Sequence, residues 1–543
     1  MDVDGPHPAV RPLARLPLSS PRSPMSTREA APTSADDPDT TSDKRSIILV
    51  FVGLMITMLL ASLDQMIFST ALPTIVGELN GVNHMVWVTT AYILASTIMM
   101  PVYGKMGDLI GRKGLFIGAI SIFIVGSVIG GLSHDMTTLI AGRAVQGLGG
   151  GGLILLSQAI IADVVPARQR GRYMGAMGGV FALASVAGPL LGGWFTEGIG
   201  WRWAFWINVP LGLLAIASAS AFLHLPKPKL GKPSIDYPGM ILVATSATCL
   251  ILFTTWGGNT YDWDSAVIIG LIIGSIVSAI AFVMVERRAT EPVIPMHLFS
   301  ERNFVLTTTA GLIIGIAMFG ALAYLPTYIQ MVTGKNATEA GLMMIPMMAG
   351  LLVSSIGSGQ IVSKTGRYKA FPIVGTSIVA VSLVLLSRLT PSTSLVVFGI
   401  YIAIMGVGLG LVMQILILIV QNTFPAAEVG TATASNNFFR QIGASLGSAI
   451  VGSLFASRLS NLLAERLPAG GGGVGGEENS LTPGILWKLP DQIREIIVGA
   501  YNDALAPIFM YLVPLVVAAV ILLLFVKEKP LATTIDRSAA PIE

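Results

Sequence analysis

Charged residues are scarce in this 543-residue chain, and their scarcity excludes an ordinary soluble protein. Asp, Glu, Lys and Arg make up 12% of the residues, whereas apolar residues make up 53% and the mean hydropathy is +0.74. Soluble domains average about 25% charged residues. A chain this apolar has too little polar surface to face water on all sides, and we expect it to lie in a lipid bilayer.

Catalytic and metal-binding motifs are also missing from the sequence. The single cysteine, Cys249, excludes an intramolecular disulfide and a metal site built on cysteines. There is no Walker A motif, which argues against direct use of ATP, and no HExxH motif. The net charge of +3 comes from Lys and Arg in short loops, so no nucleic-acid partner is expected. We predict a protein that is not an enzyme and that has no cofactor and no metal.

Long apolar blocks are what the chain has in abundance. A helix that crosses a bilayer needs about 20 mostly apolar residues. The blocks predict an all-α polytopic membrane protein with fourteen transmembrane helices. Their approximate positions are 46–70, 86–103, 114–132, 138–161, 172–195, 203–223, 238–256, 265–285, 304–329, 340–362, 370–388, 395–418, 432–455 and 506–526.

The distribution of Lys and Arg between the loops predicts the orientation of these helices. Nineteen Lys and Arg residues lie in loops or tails on the side of the two termini, and three lie in the short loops of the other side. Cytoplasmic loops carry this excess of positive charge in membrane proteins. We therefore predict a multi-pass protein of the plasma membrane with both termini in the cytoplasm.

Composition divides the chain into five parts. Residues 1–45 are polar and lack apolar periodicity, which predicts a disordered cytoplasmic tail, and 531–543 form a second tail. Two six-helix halves, 46–225 and 291–530, flank a central two-helix insertion at 226–290. The second half includes an extracellular loop, 456–505, whose glycine-rich run predicts a flexible linker followed by an amphipathic stretch on the outer membrane face.

The two halves repeat each other weakly. The spacing G-x6-G-R-K at 104–113 returns as G-x6-G-R-x-K at 359–369, and the glycines at 188 and 193 are matched by glycines at 447 and 452. Parallel repeats of this kind build many secondary transporters, and the substrate site of such proteins lies between the repeats. The repeat therefore predicts a transporter built from two related bundles.

The loop after the second predicted span, GKMGDLIGRKG, resembles the signature loop of the major facilitator superfamily. Gly104 and Gly111 allow close helix approach and unusual backbone angles. Asp108 lies within reach of Arg112 and Lys113. The resemblance implies the major facilitator fold and a charge network that closes the cytoplasmic side and holds an outward-open state. A leucine follows Asp108 where the family usually has arginine, which predicts a thinner network.

Two ionisable residues occur deep in predicted spans, and intramembrane charge is a functional hypothesis by default. Asp64 is the only carboxylate deep in any predicted span, and Arg143 lies at a similar depth in the fourth. The stretch LDQMIFSTALP resembles a motif of fourteen-helix drug:proton antiporters, a group that includes quaternary ammonium exporters. Arg143 and Gln146 match the R-x-x-Q-G-x-G motif of that family. The resemblance implies that Asp64 binds a proton or a substrate cation and that Arg143 takes part in proton coupling.

The fifth predicted span carries GPLLGG, which resembles the antiporter motif of drug exporters. Pro189 removes a backbone hydrogen bond and kinks a helix, while Gly188, Gly192 and Gly193 allow close packing. The resemblance implies a hinge for alternating access that is biased toward export.

Four further polar residues are candidates for the wall of a central cavity. They are Gln146, Asn437, Arg440 and Gln441. Arg440 begins the thirteenth predicted span, and it faces either the cavity or the cytoplasm.

These motifs, spread over roughly residues 46–530, predict a proton-coupled antiporter that exports lipophilic and cationic drugs. Its expected partners are a small-molecule substrate, protons and the lipid bilayer, and it is expected to act as a monomer driven by the proton gradient. Two alternatives stay open. One is a dedicated exporter of a single endogenous metabolite, siderophore, amino acid or lipid, and the other is a membrane sensor without turnover.

Overall fold

The computed structural model describes residues 38–79, 84–225, 234–258, 260–466 and 486–533. In these ranges the chain forms helices joined by short turns, with one isolated bridge between Gly257 and Tyr261. The helices are α1 Pro38–Glu78, α2 Met85–Ile110, α3 Arg112–Gly131, α4 Met136–Val164, α5 Ala167–Trp194, α6 Trp203–Trp206, α7 Asn208–Phe222, α8 Tyr237–Trp256, α9 Ala266–Glu286, α10 Arg302–Leu322, α11 Leu325–Thr333, α12 Ala337–Leu342, α13 Ile345–Thr365, α14 Ala370–Leu386, α15 Leu395–Gln421, α16 Val429–Arg466 and α17 Asp491–Leu524.

The all-α membrane architecture predicted from the sequence is confirmed. Within the described ranges, thirteen helical stretches are long and apolar enough to cross a membrane. The predicted span at 370–388 corresponds to α14, a shorter apolar helix of 17 residues and hence about 25 Å. That length is slightly less than the hydrocarbon thickness of a bilayer, about 30 Å. The count of fourteen crossings therefore stays a prediction.

Two predicted boundaries do not coincide with the ends of helices. Helix α1 begins at Pro38, so residues 38–45 of the predicted disordered tail are helical, and 1–37 lie outside the described residues. The predicted extracellular loop at 456–505 is shorter, because α16 continues to Arg466 and α17 begins at Asp491. The glycine-rich run lies outside the described residues, as does 534–543. Trp487, just before α17, donates to the Gln330 carbonyl at 3.2 Å, so this segment packs on α11.

Glycines allow the helices within each half to approach backbone to backbone. A Cβ at Gly151 would collide with the backbone of α2, and one at Gly149 would collide with α3. In the second half, a Cβ at Gly443 or Gly447 would collide with the backbone of α10. Small residues permit this packing in a bilayer, where apolar burial alone does not drive helices together. The glycine-rich run on α4 therefore sets the close packing of α2, α3 and α4.

The two halves contact each other along two seams, at the end of the bundle that carries the loops at 111, 165–166, 287–301 and 366–369. We call this end the basic side. In one seam α5 packs on α13, where Ser355 donates to the Gly175 carbonyl at 3.1 Å. In the other, α2 packs on α16, where a Cβ on Gly104 would collide with Ala434. The passage between the halves is therefore sealed on the basic side.

The central insertion, α8 and α9, lies over the α2–α16 seam. Val243 and Phe282 of the insertion form one apolar cluster with Ile98 of α2 and Phe438 of α16. Beside the cluster, Lys105 of α2 forms an ion pair of 2.6 Å with Glu291, which follows α9. The insertion thus contacts both halves and covers this seam from outside.

Candidate functional site

Asp64 and Arg143 form an ion pair inside the first half. Arg143 Nη1 lies 2.6 Å from Asp64 Oδ2, which joins α4 to α1. The side chains are 0% and 2% exposed. Charged groups are retained at such depth only when they are paired and hydrogen-bonded. The structure therefore brings together the two residues that the sequence placed at one depth.

Three neutral side chains complete this buried cluster. Gln146 Nε2 and Asn208 Nδ2 donate to Asp64 Oδ1 at 2.7 and 2.9 Å. Both amides also donate to Ser127 Oγ, at 2.8 and 3.2 Å. The cluster joins α1, α3, α4 and α7, and Asp64 accepts three donors. Gln146 is 0% exposed in this conformation, and its place on a cavity wall stays a prediction.

The Arg143 guanidinium has further partners besides Asp64. It donates to Gln146 Oε1 at 2.6 Å and to the Val88 carbonyl at 3.3 Å. The rings of Phe68 and Tyr92 lie 4.2 and 4.4 Å from its central carbon. Cation–π contacts of this kind stabilise a desolvated cation by about 2 kcal/mol. Loss of the Asp64 charge would remove the one anionic partner of this guanidinium.

Sequence analysis missed Asn208 and Ser127. Asn208 is the first residue of α7 and is 1% exposed, and its Oδ1 has no hydrogen-bond partner. The sequence signal for Asn208 was an amide side chain inside the apolar, tryptophan-rich stretch WRWAFWINVPLG. The amide group of Asn208 thus contacts Asp64 through its nitrogen, while its oxygen has no partner in the described ranges.

The carboxylate of Asp108 closes the α2–α16 seam by capping the first turn of α16. Asp108 Oδ2 accepts from the backbone N–H and the hydroxyl of Thr431, both at 2.7 Å, and Oδ1 accepts from the N–H of Gly430 at 3.2 Å. Negative charge is favourable at a helix N-terminus because the free N–H groups and the helix dipole meet there. One half of the molecule therefore holds the other through this carboxylate.

Arg112 ties this contact to α4. Its Nη2 lies 2.7 Å from Asp108 Oδ1, and its Nη1 pairs with Asp163 near the end of α4. It also donates to the Ala426 carbonyl of the second half at 3.3 Å. Asp163 was missed, since it lies just beyond the predicted fourth span. The leucine after Asp108 predicted a charge network with fewer members, and Asp163 adds a second carboxylate to it.

The other members of the predicted gate have separate roles. Lys113 is not part of the charge network, because its Nζ donates to the Ser220 carbonyl at 3.0 Å. Gly111 has φ 96°, a backbone angle that favours glycine and ends α2. Gly104 provides the close approach of α2 to α16 described above.

We expect Asp108→Asn to open the basic side more often. Loss of the charge at the α16 N-terminus removes about 1–2 kcal/mol, and 1.4 kcal/mol is a tenfold change in the equilibrium. Ser355→Cys on a Cys249→Ser background reports the opening, because Ser355 is 1% exposed in the closed seam. Its labelling by a membrane-impermeant maleimide should become about tenfold faster. Asp135→Asn, at the N-cap of α4, is the control. Equal labelling rates in the two variants would contradict this role.

The glycines of the predicted hinge pack on α1. A Cβ on Gly188 would collide with Met66, and a Cβ on Gly192 would lie 2.9 Å from the Ile67 carbonyl. Gly193 has open space around it, and Pro189 lies inside a continuous α5. Two of the three glycines therefore connect α5 to the turn of α1 that carries Asp64. Their hinge role stays a prediction.

Asn437 and its neighbours form a polar contact between the halves. Asn437 Nδ2 donates to Gln158 Oε1 of α4 at 2.8 Å, and Gln421 Nε2 donates to the Gln158 carbonyl at 3.1 Å. Asn437 is 3% exposed, so it closes the passage here instead of lining an open cavity. Gln441 is partly buried. Arg440 lies eleven residues after the first residue of α16, and whether it faces a cavity or the cytoplasm stays open.

Comparisons with known proteins agree with this geometry. The pattern of the Major Facilitator Superfamily matches residues 54–448. The chain is 42% identical over 489 residues to an uncharacterized MFS-type transporter of Mycobacterium tuberculosis, covering 90% of this chain and 70% of that protein. It is 34% identical over 499 residues to Multidrug resistance protein 3 of Bacillus subtilis, covering 90% and 97%.

A solved structure shares the same fold. The proton:xylose symporter XylE aligns with a TM-score of 0.56 at 14% identity, covering 90% of this chain and 98% of that one. The match over 54–448 and the full-length relatives, together with two helical halves that meet along α2–α16 and α5–α13, establish that the chain belongs to the major facilitator superfamily of membrane transporters.

Proposed function

We propose that this transporter is a proton-coupled antiporter that exports lipophilic compounds, drugs among them, from the cytoplasm. The observation that carries the proposal is the fully buried ion pair of Asp64 and Arg143. Ionisable residues inside a membrane mark ion pathways and proton relays. The multidrug name of one relative supports the drug part of the proposal.

Protonation of Asp64 provides the coupling step. A neutral carboxylic acid no longer balances the Arg143 charge, and the hydrogen bonds from Gln146 and Asn208 weaken with it, because charge-assisted bonds are about twice as strong as neutral ones. A resulting shift of α1 moves α5 as well, because Gly188 and Gly192 of α5 pack directly on α1. Helix α5 forms one of the two seams. Opening then requires Asp108 to leave the α16 N-terminus.

The burial of Asp64 favours a proton over a substrate cation as its direct ligand. The carboxylate is 0% exposed and three donors surround it, so a drug-sized cation has no access to it in this conformation. A proton needs only a chain of polar atoms. Cationic substrates, which the sequence also predicted, would have to bind elsewhere in the passage.

The charge bias of the loops supports the orientation of the protein in this proposal. The basic side faces the cytoplasm, so the described conformation is closed to the cytoplasm. The protein acts as a monomer in the plasma membrane, with both termini in the cytoplasm, and needs protons as its only co-substrate. No cofactor and no nucleic acid take part.

The test uses the purified full chain in liposomes with a pH-sensitive dye inside. A panel of lipophilic cations, zwitterions and acids is added, and we expect several members to drive proton movement that a protonophore abolishes. Empty liposomes measure leakage. A response to one compound of the panel alone would favour a dedicated exporter. Proton movement indistinguishable from that of empty liposomes, for every compound that demonstrably binds, would exclude proton coupling.

A further inference from the structure

Arg440 lies inside α16, one of the helices that are long and apolar enough to cross a membrane. It follows Val429, the first residue of α16, by eleven residues, or about 16 Å along the helix axis. The helix has 38 residues, about 57 Å, and exceeds the hydrocarbon core of about 30 Å, so Arg440 lies far from both helix ends. An arginine here is costly unless a partner or a water-filled passage receives it.

No partner receives this guanidinium in the described part of the chain. It has no ion pair, side-chain hydrogen bond or aromatic ring there, and no charged side chain acts on it electrostatically. Arg143, the other intramembrane arginine discussed above, has a carboxylate, an amide, a carbonyl and two rings. The contrast indicates that protein groups already bind the Arg143 guanidinium, whereas the Arg440 guanidinium is free to bind a ligand.

The register of α15 against α16 places a second open polar group opposite Arg440. Gln421 of α15 donates to Thr433 Oγ1 of α16 at 3.4 Å, which aligns the two helices at that level. The two helices run in opposite directions. The residue seven positions before Gln421 and the residue seven positions after Thr433 therefore lie at the same level, about 10 Å along the helix axes from the Gln421–Thr433 contact. Seven residues are nearly two turns, so the same faces meet. The residues reached are Gln414 and Arg440.

Gln414 also has no partner in the described ranges. Its Oε1 is buried without a hydrogen bond. Its Cγ would lie 3.2 Å from a Cβ on Gly178, so it points at α5 of the first half. Two polar side chains without protein partners in the described ranges thus share one level of the second half, and Gln414 points at the first half.

We propose that Arg440 and Gln414 bind an anionic group, a carboxylate in the first instance, on the exported compound. This inference rests on the proposed export function and names its substrate class as lipophilic acids. The guanidinium supplies a fork of donors that matches a carboxylate, and the Gln414 amide supplies one more. The apolar remainder of the substrate occupies the passage between the halves.

The two halves then have separate functions in transport. Asp64 and Arg143 in the first half carry the proton, and Arg440 and Gln414 in the second hold the substrate charge. For an exchange of one proton for one monoanion, the proton moves inward while the anion moves outward. Both movements carry positive charge inward, so a membrane potential that is negative inside drives export together with the pH gradient.

The test compares two probes with the same pyrene ring, similar alkyl chains and opposite charge, 1-pyrenebutanoate and 4-(1-pyrenyl)butyltrimethylammonium. Their binding to the full chain in lipid nanodiscs is measured by fluorescence anisotropy, with empty nanodiscs as background. We expect the anion to bind the wild type more tightly than the cation. Arg440→Gln should weaken anion binding about tenfold or more, because one charge-assisted pair is lost. The affinity for the cation should stay unchanged. Arg440→Lys should restore part of the affinity.

A matched control removes another arginine without a partner. Arg388 is exposed in the loop after α14, and Arg388→Gln should bind both probes as the wild type does. Wild-type anion binding by Arg440→Gln would overturn the proposal, as would equal loss of both probes with a lowered Tm in both Arg440 variants. Binding is measured without a pH gradient. A failure here therefore leaves proton coupling standing, and a failure of coupling leaves this site standing.

Discussion

Asp64→Asn is expected to abolish substrate-driven proton movement while substrate binding persists. The amide keeps the shape of the carboxylate but cannot gain or lose a proton, and it leaves the Arg143 guanidinium without an anion. Removal of one partner from a buried ion pair costs roughly 3–5 kcal/mol. Proton flux in the liposome assay should fall to the level of empty liposomes, and thermal unfolding should shift to a lower temperature.

A double variant separates the loss of coupling from the loss of stability. Asp64→Asn with Arg143→Gln removes both charges, and neutral pairs in place of buried ion pairs are often as stable as the original. We expect its Tm to return toward that of the wild type while proton movement stays absent. Glu78→Gln is the matched control on the same helix, because Glu78 is half-exposed and its pair with Arg202 is worth little. Substrate-driven proton flux in the double variant would exclude Asp64 as the proton carrier.

The meeting of Asp64 with Arg143 could be predicted because depth follows from counting residues along straight helices. The rest of the cluster could not. Amides and hydroxyls are common in membrane helices, where they join helices at little cost, so Ser127 and Asn208 do not stand out in a sequence. Their inclusion depends on the rotation of α3 and α7 about their axes. Apolar blocks leave that rotation undetermined, because helices in lipid are apolar on most faces.

The surroundings of Arg440 could not be predicted for a related reason. The stretch TATASNN, shortly before it, is polar, so a hydropathy argument treats these residues as the edge of a span. In the structure these residues are helical and find partners in neighbouring helices. Asn437 contacts Gln158, Asn436 Nδ2 donates to Thr308 at 3.2 Å, and Thr433 contacts Gln421. Polar side chains that other helices satisfy lie inside the membrane without the cost that a hydropathy scale assigns to them.

For the glycine motifs, too, the sequence indicated close packing, but only the structure shows which helix each glycine contacts. Their spacing predicted close packing, and close packing is found, but the neighbours differ from one glycine to the next. Gly188 packs on α1 beside Asp64, whereas Gly104 packs on α16 of the other half. One motif thus links α5 to the buried ion pair and the other to the seam between the halves.

A disulfide across the α5–α13 seam is expected to stop transport completely and reversibly. A Cβ on Gly178 would lie 3.2 Å from the Cβ of Ser355, close to the 3.5–4.5 Å of disulfides, ~0.3 Å below the range. The single cysteine of the chain is removed by Cys249→Ser. In the variant with Gly178→Cys and Ser355→Cys, mild oxidation should reduce export to the share of molecules that remain uncrosslinked, and dithiothreitol should restore it.

The control crosslink lies within one half. A Cβ on Gly152 would lie 2.9 Å from the Cβ of Ala119, so Gly152→Cys with Ala119→Cys joins α4 to α3 without crossing a seam. If the halves move as bodies, oxidation of this pair leaves export unchanged, because α3 and α4 stay together through the cycle. If the seam-crosslinked protein exports as fast as the same variant after treatment with dithiothreitol, the α5–α13 contact never opens during transport. The substrate would then have to reach the cytoplasmic side along α2 and α16, past the insertion that covers that seam.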